Sequence, residues 1–110
     1  MKIEQEVRGR TLVIRLGGEL DVKSAPEFRE TTEAALDRHA SNHLILNLEN
    51  VSFIDSSGLG AILGRYRRLQ QGGGRMTLVA PAPNVRRVME LSGLFKIMPV
   101  FRSEERAMEG

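Results

Sequence analysis

Asp55-Ser56-Ser57-Gly58 is the one stretch of this chain whose residue types and spacing suggest chemistry. It follows the apolar run Val51-Ser52-Phe53-Ile54 and leads directly into Leu59-Gly60-Ala61-Ile62-Leu63-Gly64. Asp and Ser both favour the position just before a helix, where a short side-chain oxygen accepts a bond from a free first-turn N–H. The positive end of the helix dipole adds a preference for negative charge at the same place. A serine there is a good acceptor for a phosphate, but it has no evident means of doing chemistry itself. The pattern predicts a switch on a binding surface.

Other chemistries find less support. Gly58-x-Gly60-x-x-x-Gly64 departs from the dinucleotide spacing and reads as glycines that allow a tight turn and close helix–sheet packing. Gly72-Gly73-Gly74-Arg75 lacks the Lys-Ser/Thr of a phosphate-binding loop and reads as a helix stop. Asp55 near a strand end could suggest a phospho-accepting aspartate. That reaction needs magnesium held by further carboxylates, and Glu19 and Asp21 lie too far along a loop to serve. A nucleophilic Ser56 or Ser57 needs a base. The two histidines, His39 and His43, flank the third strand at its opposite end and are expected in surface turns. Without cysteine they make a weak metal site. The reading is therefore not an enzyme, with no metal and no cofactor. Arg65, Arg67, Arg68, Arg75, Arg86 and Arg87 read chiefly as solvated helix surface, with an acidic partner patch as the alternative. Met76, Met89 and Met98 fall on core periodicity as gap-fillers.

The surrounding elements must hold the serines in place. Residues 2–7 and 11–17 read as two strands around the turn Arg8-Gly9-Arg10, with Leu12, Ile14 and Leu16 on one apolar face. Gly17-Gly18 should stop the second strand, leaving Glu19-Leu20-Asp21 in a loop. Ser24-Ala25-Pro26-Glu27 has capping-box spacing and opens a helix over 25–38 that carries Phe28, Thr32, Ala35 and Leu36. Leu44–Leu48 reads as a central strand. In the helix after Asp55, Leu59, Ile62, Leu63, Tyr66 and Leu69 share one side, and Ile54 and Leu59 occupy hydrophobic-staple positions. A strand over 76–79, a helix from Pro81 and Pro83 to Ser92, a strand from Ile97 to Phe101 and a helix from Ser103 complete the order. A hairpin followed by alternating helices and strands predicts an α/β fold: a mixed, mostly parallel sheet of four to five strands packed by about four helices.

The bulk composition agrees. A chain of 110 residues, 41% hydrophobic and 27% charged, suits one globular domain over 1–110. A formal charge of +2 with 5% aromatics argues against nucleic acid as a partner. The N-terminus lacks a signal-peptide core, and no run approaches the ~18 apolar residues of a membrane helix. A cytoplasmic location is expected, with no membrane insertion.

Val51-Ser52-Phe53-Ile54-Asp55-Ser56-Ser57-Gly58-Leu59-Gly60 closely resembles the signature of the STAS-domain anti-sigma factor antagonists, and Gly18-Glu19-Leu20-Asp21 resembles their second characteristic segment. Leu63-Gly64-Arg65-Tyr66 and Leu91-Ser92-Gly93-Leu94-Phe95-Lys96-Ile97 look like the sporulation branch, which acts on the anti-sigma F factor. Asp21-Val22-Lys23-Ser24-Ala25-Pro26 looks more like the general-stress branch. The resemblance spans nearly the whole chain and implies a STAS fold. It implies that the unphosphorylated protein binds an anti-sigma factor serine kinase and so frees a sporulation sigma factor. The kinase would then switch the protein off by phosphorylating Ser56, and a serine phosphatase would restore it. It also implies that Glu19, Asp21, Asp55, Ser56, Ser57 and Gly58 meet the partner. The alternatives are a general-stress antagonist, or a stand-alone sensory STAS module that binds a small anion or nucleotide at the same helix start.

Overall fold

The computed structural model describes residues 1–110. Strands β1 (Lys2–Arg8) and β2 (Thr11–Leu20) form the expected hairpin, with Gly9 at φ 62° in its turn. Then follow α1 (Ala25–His39), β3 (His43–Ile54), α2 (Ser56–Gln71), β4 (Arg75–Val79), α3 (Pro83–Ser92), a 3₁₀ turn at Leu94–Lys96, β5 (Val100–Phe101) and α4 (Glu104–Glu109). The sheet order is β1-β2-β3-β4-β5. Only β1 and β2 are antiparallel, and every later pairing is parallel. This is the mixed α/β sheet that the alternation predicted.

One face of the sheet carries Leu12, Ile14 and Leu16 of β2, Leu44, Leu46 and Leu48 of β3, and Met76 and Leu78 of β4. Phe28 and Leu36 of α1, Ile62 and Leu69 of α2, and Val85 and Met89 of α3 join them in one core. The other face buries a smaller cluster, Val13, Ile45 and Val79, beneath Ala107 of α4. Charge holds α4 there as well. Arg15 Nε donates to Glu104 Oε2 at 2.7 Å, Asn47 Nδ2 donates to the same oxygen at 2.7 Å, and Arg15 Nη2 donates to Glu6 Oε1 at 2.6 Å. No helix is long and apolar enough to cross a membrane.

Several local expectations need correction. Strand β2 does not end at Gly17-Gly18, and Glu19-Leu20 is not a loop. The strand continues to Leu20 through two register shifts, with Gly18 at φ 103°. A glycine supplies that conformation without steric cost, so the pair makes a bulge instead of a stop. Strand β3, in turn, runs past Leu48 to Ile54, pairing Glu19 with Phe53 and Leu20 with Ile54. The last strand is only Val100–Phe101, because Leu94–Lys96 turns as a 3₁₀ helix and Pro99 contributes a carbonyl to Leu78 N at 3.0 Å.

His43 is not a surface residue. It is 4% exposed, and its Nε2 lies 2.9 Å from Thr77 Oγ1. Burial, helped by the nearby charge of Arg75, pushes its pKa down to about 4. His39 is half-buried at the end of α1.

Candidate functional site at the start of helix α2

The backbone of Asp55 is extended (φ −117°, ψ −173°), and Asp55 Oδ1 accepts the N–H of Gly58 at 3.0 Å. Its carbonyl accepts Leu59 N at 3.0 Å as the first intrahelical bond. Asp55 is therefore the N-cap of α2, and Ser56 is the first helical residue. The staple residues are placed as expected: Ile54 is buried, and half-buried Leu59 packs on the main core.

Ser56 is exposed and its hydroxyl makes no hydrogen bond within the protein. Because Asp55 does the capping, the plain structural duty open to Ser56 is already filled. Ser57 is half-buried and turns toward a cleft between α1 and α2. The adjacent serines are thus unequal in access.

Gly58 is buried where no side chain fits. A Cβ built there would overlap the carbonyl oxygen of Leu20 and come within 2.9 Å of side-chain carbons of both Leu20 and Ile54. That same carbonyl accepts Asp55 N at 3.3 Å. The end of β2 and the start of α2 are held together at this oxygen. By contrast, a Cβ on Gly60 or Gly64 meets nothing within 4 Å. Of the three spaced glycines, only Gly58 is required by close packing.

Extending β2 brings Glu19 and Asp21 to the same end of the sheet as Asp55, beyond the C-terminal ends of the parallel strands β2 and β3. Ligands of parallel α/β sheets commonly meet the protein at that end. Glu19 is exposed and Asp21 is half-buried. Asp21 Oδ1 accepts Lys23 N at 3.0 Å and Ser24 N at 3.1 Å, and these bonds, with the first from Ser24, hold the carboxyl below its usual range. The Ser24–Glu27 capping box does not form. Ser24 Oγ instead donates to the carbonyl of Glu19 at 2.6 Å and accepts Asp21 N at 3.0 Å. The turn between β2 and α1 competes for the hydroxyl and wins it.

Two apolar side chains with no site role in the sequence reading border this surface: Phe53, 46% exposed, and Val22, 66% exposed. Phe53 sits opposite Glu19 in the β2–β3 register. Its signal lay in the sequence as an aromatic directly before the polar cluster, but its orientation depends on the irregular β2–β3 pairing.

The six arginines considered above do not make one basic face. Arg65 is 7% exposed and lies 2.9 Å from Glu33, while Arg68 pairs with Glu33 and Asp37 across the α1–α2 seam. Arg86 pairs with Glu90 and stacks over Phe95, and Arg75 donates to the carbonyl of Gly110.

The assembly is a capped helix start presenting a free hydroxyl, flanked by carboxylates and exposed apolar groups. The sequence profile of the STAS domain matches residues 2–107, and the chain belongs to the STAS-domain family. Within that family it groups with the anti-sigma factor antagonists. It is 43% identical over 108 residues to the anti-sigma F factor antagonist of Paenibacillus polymyxa, covering 98% of this chain and 92% of that protein. The anti-sigma-B factor antagonist of Staphylococcus aureus is 30% identical over 105 residues, covering 96% of each chain. The solved structure of the anti-sigma factor antagonist SpoIIAA in its unphosphorylated form superposes with a TM-score of 0.85 at 40% identity, covering 98% of this chain and 94% of that one. The phosphorylated form of the Bacillus cell fate determinant SpoIIAA superposes with a TM-score of 0.77 at 39% identity, covering 98% and 97%.

Proposed function

We propose that this protein is a partner-switching antagonist in the sporulation branch, acting in the cytoplasm as a binding module and kinase substrate and not as an enzyme. In its unphosphorylated form it binds an anti-sigma factor serine kinase through Glu19, Asp21 and the Asp55-Ser56-Ser57-Gly58 helix start, and the sigma factor held by that kinase is released. The kinase phosphorylates Ser56 and ends the interaction, and a serine phosphatase removes the group. The observation that carries this reading is the Ser56 hydroxyl, exposed and unbonded at the first residue of a helix whose cap is supplied by its neighbour. Greater similarity to an anti-sigma F factor antagonist than to the anti-sigma-B one supports the sporulation branch.

The energetics suit a switch. A phosphate adds about −1.5 to −2 charges at neutral pH. The free first-turn N–H groups and the helix dipole accept that charge without unfolding. A docked kinase fares differently. To phosphorylate Ser56 it must bring a nucleotide phosphate to that hydroxyl, so a second phosphate there meets like charge in a partly dehydrated interface. A penalty of ~3 kcal/mol lowers affinity more than a hundredfold.

The test is incubation with the cognate kinase and ATP, with the phosphate located by mass spectrometry. Phosphate on Ser56, loss of labelling in Ser56→Ala with binding retained, and lost affinity of Ser56→Asp for the ADP-loaded kinase are the expected results. Labelling of Ser57 in the Ser56→Ala variant would overturn the assignment.

A further inference from the structure

The cleft beside Ser57 has a chemistry of its own. It encloses about 500 Å³ between α1 and α2, with Val22, Pro26 and Arg29 on one side and Ser57, Gly60 and Arg65 on the other. Its width follows from the sequence: Gly60 contributes no side chain, and a Cβ there would point into open space. A large side chain at position 60 would narrow the cleft and leave the core alone.

Its wall is positively charged and incompletely satisfied. Arg65 is 7% exposed, and neither its Nε nor its Nη1 makes a hydrogen bond. Nε lies 2.9 Å from Glu33 Oε1, an attraction between charges with the N–H aimed elsewhere. Glu33 also serves Arg68, which takes Asp37 as well. Arg29 has no carboxylate within ion-pairing distance, and its charge and that of Arg68 both press on Arg65. Three guanidiniums therefore meet two carboxylates along the α1–α2 seam, and the surplus positive charge lies at the cleft. An incoming carboxylate would meet the unpaired Arg29 guanidinium and offset the surplus positive charge at this wall.

We propose that this cleft receives an acidic side chain of the anti-sigma factor kinase, with its carboxylate against Arg29 and Arg65 and its aliphatic portion against Val22 and Pro26. The inference rests on the functional reading above and extends the contact surface from the helix start along the α1–α2 seam. Two features favour a partner carboxylate: the cleft is continuous with Ser57, and exposed Val22 at its rim offers apolar contact that a free ion cannot use. The partner surface would then be mixed in charge, basic toward Glu19 and Asp21 and acidic toward Arg29. Such a pattern fixes the docking orientation.

Calorimetric titration of the ADP-loaded kinase with the full chain tests this, using circular dichroism to verify the fold of each variant. Arg29→Glu is expected to weaken binding at least about tenfold, Arg29→Lys to stay within about threefold of wild type, and Gly60→Leu to weaken it about tenfold by narrowing the cleft. Arg29→Glu binding within twofold of wild type overturns the proposal and leaves the functional reading standing. Failure of the wild-type chain to bind the kinase overturns the functional reading itself. A second copy of this chain as occupant would give an Arg29-dependent dimer in sedimentation. A free oxyanion would give saturable shifts of the Ser57 and Ala61 amides on titration with inorganic phosphate. Either result, with kinase affinity unmoved by Arg29→Glu, overturns the proposal.

Discussion

The α-carbon of Gly58 packs so closely on the carbonyl of Leu20 that no β-carbon fits between them. This contact ties the end of β2, which carries Glu19 and leads into Asp21, to the helix that carries Ser56, and it fixes the spacing between them.

Gly58→Ala should therefore push α2 away from β2. Alanine gains ~1 kcal/mol in helix propensity, but overpacking against backbone costs about 1–3 kcal/mol and should dominate. Urea unfolding should show a net loss of stability, and kinase affinity should fall further than the same loss spread over the core would cause. Gly60→Ala, with open space at its β-carbon, should stabilise the protein by up to ~1 kcal/mol in the same assay.

Asp55→Ala removes the oxygen that accepts Gly58 N at 3.0 Å. A cost of ~1 kcal/mol is expected from chemical denaturation, with Asp55→Asn nearly neutral because the amide oxygen can still cap. Amide hydrogen exchange should quicken first at Gly58 in the alanine variant.

Ser24→Ala should leave global stability within ~1 kcal/mol while loosening the turn that holds Glu19 and Asp21, since Ser24 Oγ bonds to the backbone of both. Kinase affinity should drop in this variant, although the Glu19 and Asp21 side chains are themselves retained. Unchanged affinity would mean that Glu19 and Asp21 do not depend on the turn.

Acid should lower the protein's stability in two stages. An unfolded histidine binds a proton near pH 6.5, whereas buried His43 resists until about pH 4, so stability falls as pH drops through that window. Glu6, bonded to Arg8 and Arg15, titrates at about 2 instead of 4.5. Its contribution is present above pH 4.5 and is lost as pH falls toward 2. His43→Gln should flatten the first stage and Glu6→Gln the second, as read from urea midpoints across pH. The His43 ring proton shifts should stay still through pH 6.5 and move with a midpoint at about pH 4 in an NMR titration.

Much of this architecture could be read from local sequence. The hairpin turn, the alternation of helices and strands and a polar cap within Asp55-Ser56-Ser57 all follow from neighbouring residues, whereas only the structure assigns that cap to Asp55. What could not be read depends on distant partners. Gly17-Gly18 looks like a strand end until β3 is seen to run on beside it and the pair becomes a bulge. Ser24 has perfect capping-box spacing, yet its hydroxyl goes to Glu19 and Asp21 in the turn before the helix. His43 and Arg65 are polar residues that burial claims because Thr77 and Glu33, more than thirty residues away in each case, arrive to meet them.

The Ser56 hydroxyl has no internal bond to surrender. Esterifying it, or freeing it again, would break nothing inside the molecule, so both states should look alike in outline. Information written at that oxygen would be held without being displayed in shape, legible only to a protein that touches the spot. A signal stored this way is private to its partners, and the rest of the cell would pass it by unread.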